Sequence, residues 1–250
     1  MAQKGNRIID RTPLPRAQRI LDREESQVQA EINAFEDFHD RLGENPPQPY
    51  RADGGTRSKL LSSQTSPSAS QKPVQTAYRE TVLAVEHWEA EYSEETALES
   101  IADEFGHNVA AGIAGGPSTC SSLLWNQLLS ETENAIETRT RSNQLITAER
   151  QQLAELEGSL ADIGEELAAI ERANHSFANR SDRLSEIQEQ LDQLADDQQS
   201  YLRQRQRSNS DLFLSYLYAD LEADYPGLAA IARTKEVRDT IEVRHWSGQI

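Results

Sequence analysis

Cysteine is all but missing from this chain. Cys120 stands alone among 250 residues, so no internal disulfide can form, and a reducing compartment suits it. Glycine is scarce at 12 residues and aromatics make up only 6%, which argues against a large spherical core and for long solvated helices. No stretch approaches the ~18 consecutive apolar residues of a membrane span. Residues 1–11 are charged and carry no apolar core of a secretory signal. These absences predict a soluble, cytoplasmic protein that spans no membrane. Lysine is also rare: Lys4, Lys59, Lys72 and Lys235 are the only four of the 25 basic residues that are not arginine.

What is present is negative charge. Asp and Glu number 42, for a formal net charge of −17. Such a surface repels nucleic acid and anionic lipid, which need local cation excess to release counterions. The densest basic stretch, Arg203, Arg205 and Arg207 with Arg180 and Arg183 upstream, is spread around a helix and reads as a salt-bridged, solvated face. A lysine-poor acidic surface is what a high-salt cytoplasm selects, because salt screens the repulsion among carboxylates. The composition therefore predicts a salt-in halophile as the source.

The heptad pattern sets the fold expectation: all-α, a long antiparallel coiled-coil hairpin projecting from a small helical head, plus a separately tethered N-terminal helix. Residues 1–12 read as disordered. From 13 to 43 Leu14, Leu21, Val28, Phe35 and Leu42 recur every seven residues. Their companion position holds Gln18, Glu25, Ile32 and His39, a stripe too narrow to fold alone. Residues 44–75 hold Pro46, Pro47, Pro49, Gly54, Gly55, Pro67 and Pro73 among Ser, Thr and Gln, and read as a flexible linker.

Residues 76–250 read as one helical domain. A first helix spans about 76–91. Ser93 is the expected N-cap of the next, which presents Leu98, Ile101 and Phe105 and stops at Gly106. From 118 a single ladder runs through Trp125, Leu128, Thr132, Ala135, Arg139, Ser142, Ile146, Glu149, Leu153, Leu156, Leu160, Ile163, Leu167 and Ile170. A polar turn over 174–181 leads to a second ladder of Leu184, Ile187, Leu191, Leu194, Gln198, Tyr201 and Arg205. Two such stripes joined by a short turn predict an antiparallel pair. A denser apolar run follows to Leu221, then Tyr225-Pro226-Gly227 breaks the chain before a last helix from about Leu228 to Arg244, with Ile231, Val237 and Ile241 as its apolar positions. The predicted head is 76–117 with 210–246, and the hairpin is 118–209.

Motifs that would carry chemistry are weak. Three Glu-x-x-His pairs occur, Glu36/His39, Glu104/His107 and Glu242/His245, yet a di-iron bundle needs such pairs on adjacent inward faces. Here one sits at a helix-ending glycine, one beyond the linker and one at the C-terminus, so no metal and no cofactor is expected. Glu99 to Gly106 has the outline of the first helix and turn of a helix-turn-helix. The segment after it, His107 to Ala114, carries no Lys or Arg for phosphates or base edges. Cys120 has no histidine near it in sequence. Gly112, Gly115 and Gly116 are followed by no Lys-Ser/Thr, and no serine elbow or kinase signature is present.

The stretch from Tyr78 to His87, with Glu91-Tyr92 and Glu104-Phe105 after it, resembles a family of uncharacterised haloarchaeal helical proteins. So does Leu217 to Leu221 followed by Tyr225-Pro226-Gly227-Leu228. The resemblance covers about 76–246 and leaves out the N-terminal helix. It implies a domain of unknown function, and neither an activity nor site residues.

The expected function is that of a non-enzymatic interaction or scaffold protein using its coiled-coil arm. Asn174, Phe177 and Arg180, at the predicted tip, are its candidate contact residues. The partner is a protein, and the N-terminal helix offers a route to a homodimer. The alternative is a nucleic-acid-associated regulator using 94–114.

Overall fold

The computed structural model describes residues 6–44, 71–87, 96–115, 121–172, 176–207 and 211–248. Of the start expected to be disordered (1–12), residues 1–5 lie outside them, while Asn6–Ile9 form a short helix and Ile9 and Thr12 are buried. Most of the expected linker (45–70) lies outside them, as do Ser93, Cys120 and Asn174. Among the described residues the protein is all-α, with no strand. The helices are α1 (Asn6–Ile9), α2 (Leu14–Glu44), α3 (Gln71–Glu80), α4 (Ala97–Phe105), α5 (His107–Ala114), α6 (Ser122–Arg172), α7 (Phe177–Arg207), α8 (Asp211–Leu217) and α9 (Pro226–Trp246). A 3-10 turn, Val82–Ala84, follows α3.

The chain divides into two compact units, residues 1–25 with 144–250, and residues 26–143. Helices α2 and α6 contribute to both. This division corrects the predicted head. Residues 96–115 and the last helix belong to different units, and α9 packs along α7 instead. The N-terminal helix is corrected too. It is no separate tethered element but part of the core of each unit.

In the unit of residues 26–143 the core is aromatic. Phe35 and Phe38 of α2 meet Tyr78 of α3 and Phe105 of α4. The Phe38 ring stands edge-on to Tyr78 at 5.2 Å and lies stacked with Phe105 at 6.1 Å, geometries that aromatic quadrupoles favour. Tyr78 and Ser100 satisfy each other's hydroxyls at 3.0 Å in the buried interior. Trp125, Leu128 and Ala135 of α6 complete the cluster. Phe38 was not in the seven-residue stripe. With it and Ala34, both buried, α2 presents a face wide enough to pack against several helices.

Local signals explain the helix ends. Helix α3 starts at Gln71, with Pro73 in its first turn, where the missing N–H costs nothing. The linker is therefore shorter at its C-terminal end than 44–75. The helix expected over 76–91 breaks at Thr81 into the 3-10 turn, and Val85 is extended. Helix α4 is capped by Thr96, whose side chain accepts from the Glu99 N–H while the Glu99 carboxylate accepts from the Thr96 N–H. This reciprocal box replaces the expected cap at Ser93. Gly106, at φ 91°, separates α4 from α5, a backbone that favours glycine.

In the unit of residues 1–25 and 144–250, α6 and α7 run antiparallel. Arg183 pairs with Glu166 at 3.1 Å, and Tyr201 and Arg205 further along α7 pair with Glu149 further back on α6. The α6 ladder from Leu153 through Ile170 is buried, as are Leu184, Ile187 and Leu191 of α7. The pair is not a bare two-helix arm, however. The start of α2 lies along α6, with Gln18 donating to Glu157 at 2.5 Å and Arg150 pairing with Glu25 at 3.1 Å. Helix α9 lies along α7, where Lys235 pairs with Asp192 and Arg238 donates to the Leu184 carbonyl at 3.3 Å. Arg244 pairs with Glu171 at 2.8 Å and ties α9 to α6 as well. Ala230, Ile231, Thr234, Arg238, Ile241 and His245 form the buried stripe of α9. The residues counted from sequence on this helix were Ile231, Val237 and Ile241, and its remaining stripe is built from small and polar types.

Candidate interaction surface

The expected turn over 174–181 is shorter than predicted. Ser176 caps α7, its Oγ accepting from the Asn179 N–H at 3.3 Å and its carbonyl from the Arg180 N–H at 3.1 Å. Phe177 and Arg180 therefore stand in the first turn of a helix, three residues apart and on one face. Arg180 is half-buried.

Phe177 is 52% exposed, and its ring stacks on His245 at 4.0 Å and 26°. Trp246, 61% exposed, stands edge-on to Phe177 at 5.1 Å. Val243, three residues before Trp246 on α9, is 68% exposed. Beneath them His245 is 1% exposed, and both ring nitrogens are buried without a hydrogen-bond partner. The result is an aromatic cap on the end of α9 and the start of α7. Of the three contact residues expected from sequence, Asn174, Phe177 and Arg180, Phe177 is the one that belongs to this cap. The signal for the rest was Val243 and Trp246, two large apolar residues three apart, beyond the last apolar position counted at Ile241. Two further exposed apolar residues, Leu212 and Tyr216, lie four apart on α8.

The three Glu-x-x-His pairs are dispersed. Glu242 accepts twice from the Arg238 guanidinium, at 2.6 and 3.1 Å, while His245 lies under Phe177. Glu104 is taken by Arg139, and His107 is exposed. His39 stands 3.4 Å from Glu133, and Glu36 is exposed. Among the described residues no cluster of three or more metal-compatible side chains occurs.

Two polar networks lie inside the units. Glu149, 1% exposed, accepts from Arg205 Nη1 with both oxygens, at 3.0 and 3.1 Å, from the Tyr201 hydroxyl at 2.7 Å and from the Tyr218 hydroxyl at 3.2 Å. Burial first, then the Glu149 charge, pushes both phenols well above their ordinary range. Both therefore stay protonated and act as donors. In the other unit Arg139 donates to Glu31 at 2.8 Å and twice to Glu104, at 2.7 and 3.0 Å, with its guanidinium over the Phe35 ring. Burial works to lower the Arg139 pKa, and the bonds and charges of Glu104 and Glu31 outweigh it, so the net direction is upward and the arginine is locked in its charged form. His87 also reaches Glu31, at 2.8 Å. The Glu149 network is buried and the Arg139 network partly buried, and each is held by hydrogen bonds within its own unit.

A family model described as a domain of unknown function, DUF7260, matches residues 12–242. The chain belongs to the DUF7260 family. The match takes in α2, so the DUF7260 domain is wider than the span of about 76–246 expected from sequence. That agrees with a helix built into both units. Comparison with curated proteins and with solved structures finds no match. No helix among the described residues is long and apolar enough to cross a membrane.

Proposed function

We propose that this DUF7260 chain is a non-enzymatic interaction or scaffold protein, and that the aromatic cap of Phe177, Val243 and Trp246 is its contact surface. One observation carries the reading. On a chain with 42 acidic residues, three large apolar side chains stand more than half exposed at the paired ends of two helices. Isolated exposed hydrophobes are ordinary, whereas adjoining aromatics favour protein contact, since tyrosine-like and tryptophan-like rings anchor interfaces. The heptad ladders of α6 and α7 support coiled-coil packing between those helices. The acidic, lysine-poor composition supports a high-salt cytoplasm, and with it a haloarchaeal source. The 94–114 segment is the weaker route to a partner. The side chains exposed there include Glu99, Asp103, His107 and Asn108, with no Lys or Arg among them, which disfavours phosphate contact.

Chemical crosslinking in native-host lysate at multimolar salt, read by mass spectrometry, tests the proposal. Crosslinks to one stoichiometric protein at residues flanking 177 and 246, lost in Trp246→Ala, are expected. Partner crosslinks unchanged in that variant would remove the cap from the reading. Self-crosslinks alone, with a dimeric mass, would turn the scaffold into a homodimer.

A further inference from the structure

The start of α2 carries two arginines where electrostatics favours acids. Arg16 lies in the first turn of this 31-residue helix and Arg11 just before it, and that turn has no acidic residue. Cations at the positive end of a helix dipole are destabilising. In a chain this rich in carboxylates, acids would be the stabilising residues at that end.

The backbone there offers nothing to an anion. The Leu14 N–H goes to Thr12 Oγ1 at 3.4 Å, the Arg16 and Ala17 N–H groups go to the Pro13 carbonyl, and Pro15 has no N–H. Any recognition falls to side chains.

Both arginines line a cavity of about 560 Å³ with Arg233 of α9, a size ordinary for small-molecule sites. Arg233 is paired with Glu236 at 2.7 Å. Arg11 and Arg16 have no carboxylate partner among the described residues. Arg11, Arg16 and Arg233 are exposed at the mouth of this open cavity, and so is Glu222. Three guanidiniums thus face two carboxylates, one already neutralised, on a chain whose total is −17. The rest of the lining includes Pro13, Leu221 and Ala229, an apolar wall beside the cationic one.

We propose that this cavity binds a small phosphate monoester, with Arg11 and Arg16 holding the phosphate and the apolar wall holding the organic part. Guanidinium forks match phosphate oxygens in geometry and charge. The apolar wall selects an ester over the free ion. The site is independent of the aromatic cap.

Calorimetric titration of the full chain with phenyl phosphate, at two salt concentrations, tests it. Saturable binding with one site per chain is expected, weaker at higher salt and tighter than for inorganic phosphate. Arg11→Gln/Arg16→Gln should weaken it by about tenfold or more, the scale of one lost charged hydrogen bond. Arg19→Gln, an exposed arginine of the same helix outside the cavity, should leave it unchanged. A circular-dichroism melt separates binding from folding: the double variant should melt no lower than the parent, because it removes cations from the positive helix end. No saturable heat at millimolar phenyl phosphate, equal loss in Arg19→Gln, or a lower melt of the double variant would each overturn the site.

Discussion

Arg205 gives one nitrogen, Nη1, to both carboxylate oxygens of Glu149, at 3.0 and 3.1 Å, and both residues are buried. They occupy seam positions of α6 and α7 that a coiled coil would fill with leucine. Burying two charges is expensive even when they are paired. Breaking such a pair is worse than replacing it. Glu149→Leu, which strands the Arg205 charge, should cost about 3–5 kcal/mol of unfolding free energy. The double variant Glu149→Leu/Arg205→Leu should recover much of that loss, apart from the bonds that the Tyr201 and Tyr218 hydroxyls forfeit. Urea unfolding of the two single variants and the double variant measures the coupling. Additive losses would mean that the pair does not act as a unit.

Glycine makes opposite demands at two places in the unit of residues 1–25 and 144–250. A Cβ on Gly227 would come within 2.7 Å of Gln198 Nε2 and 3.1 Å of Leu156 Cδ2. Gln198 is itself buried, so its amide has little room to retreat. Gly227→Ala should destabilise by about 1–3 kcal/mol through overpacking. Gly158, in the middle of α6, has nothing within 4 Å of its would-be Cβ. Gly158→Ala should stabilise by about 0.5–1 kcal/mol through helix propensity. Thermal melts with the same sign for both substitutions would refute the close approach of α9 to α6 and α7.

The sequence made the helices legible where large apolar residues repeat in threes and fours. Twelve ladder positions of α6, from Trp125 to Ile170, are buried as expected, and only Arg139 and Ser142 of that ladder are half-exposed. Legibility ended where burial uses other chemistry. Helix α9 packs on α7 through Ala230, Thr234 and Arg238, types that a hydrophobic count passes over, so it was assigned to the wrong unit. Helix α2 was read as a narrow stripe because Phe38 lies off the seven-residue repeat. Of the named contact residues, Phe177 was identifiable as a large apolar residue beside a polar turn. Its partners His245 and Trp246 are 68 and 69 positions away along the chain, and nothing in a one-dimensional pattern reports that stacking. The cavity arginines had no signal of their own, since Arg11 lay in a stretch read as disordered.

Two carboxylates contribute to acid sensitivity with a predictable sign. Thr96, through its backbone N–H and then its hydroxyl, holds Glu99 below its ordinary pKa, and Lys235, then Gln188, by hydrogen bonding does the same for Asp192. A carboxylate whose folded pKa lies below its unfolded one stabilises the fold above the unfolded value. That contribution fades as pH falls through the folded value. The window therefore opens near pH 4.5 for Glu99 and near pH 3.8 for Asp192, their ordinary values, and runs downward. Glu99→Gln keeps an acceptor for the capping box but cannot titrate, and Asp192→Asn does likewise opposite Lys235. Each variant should lose less stability than the parent as pH falls below that group's ordinary value, read as the shift in urea midpoint by circular dichroism. Above pH 6 each variant should be slightly less stable than the parent, because the charged acceptor makes the stronger bond. A parent and variant with parallel pH profiles would show that neither carboxylate is held low in the folded chain.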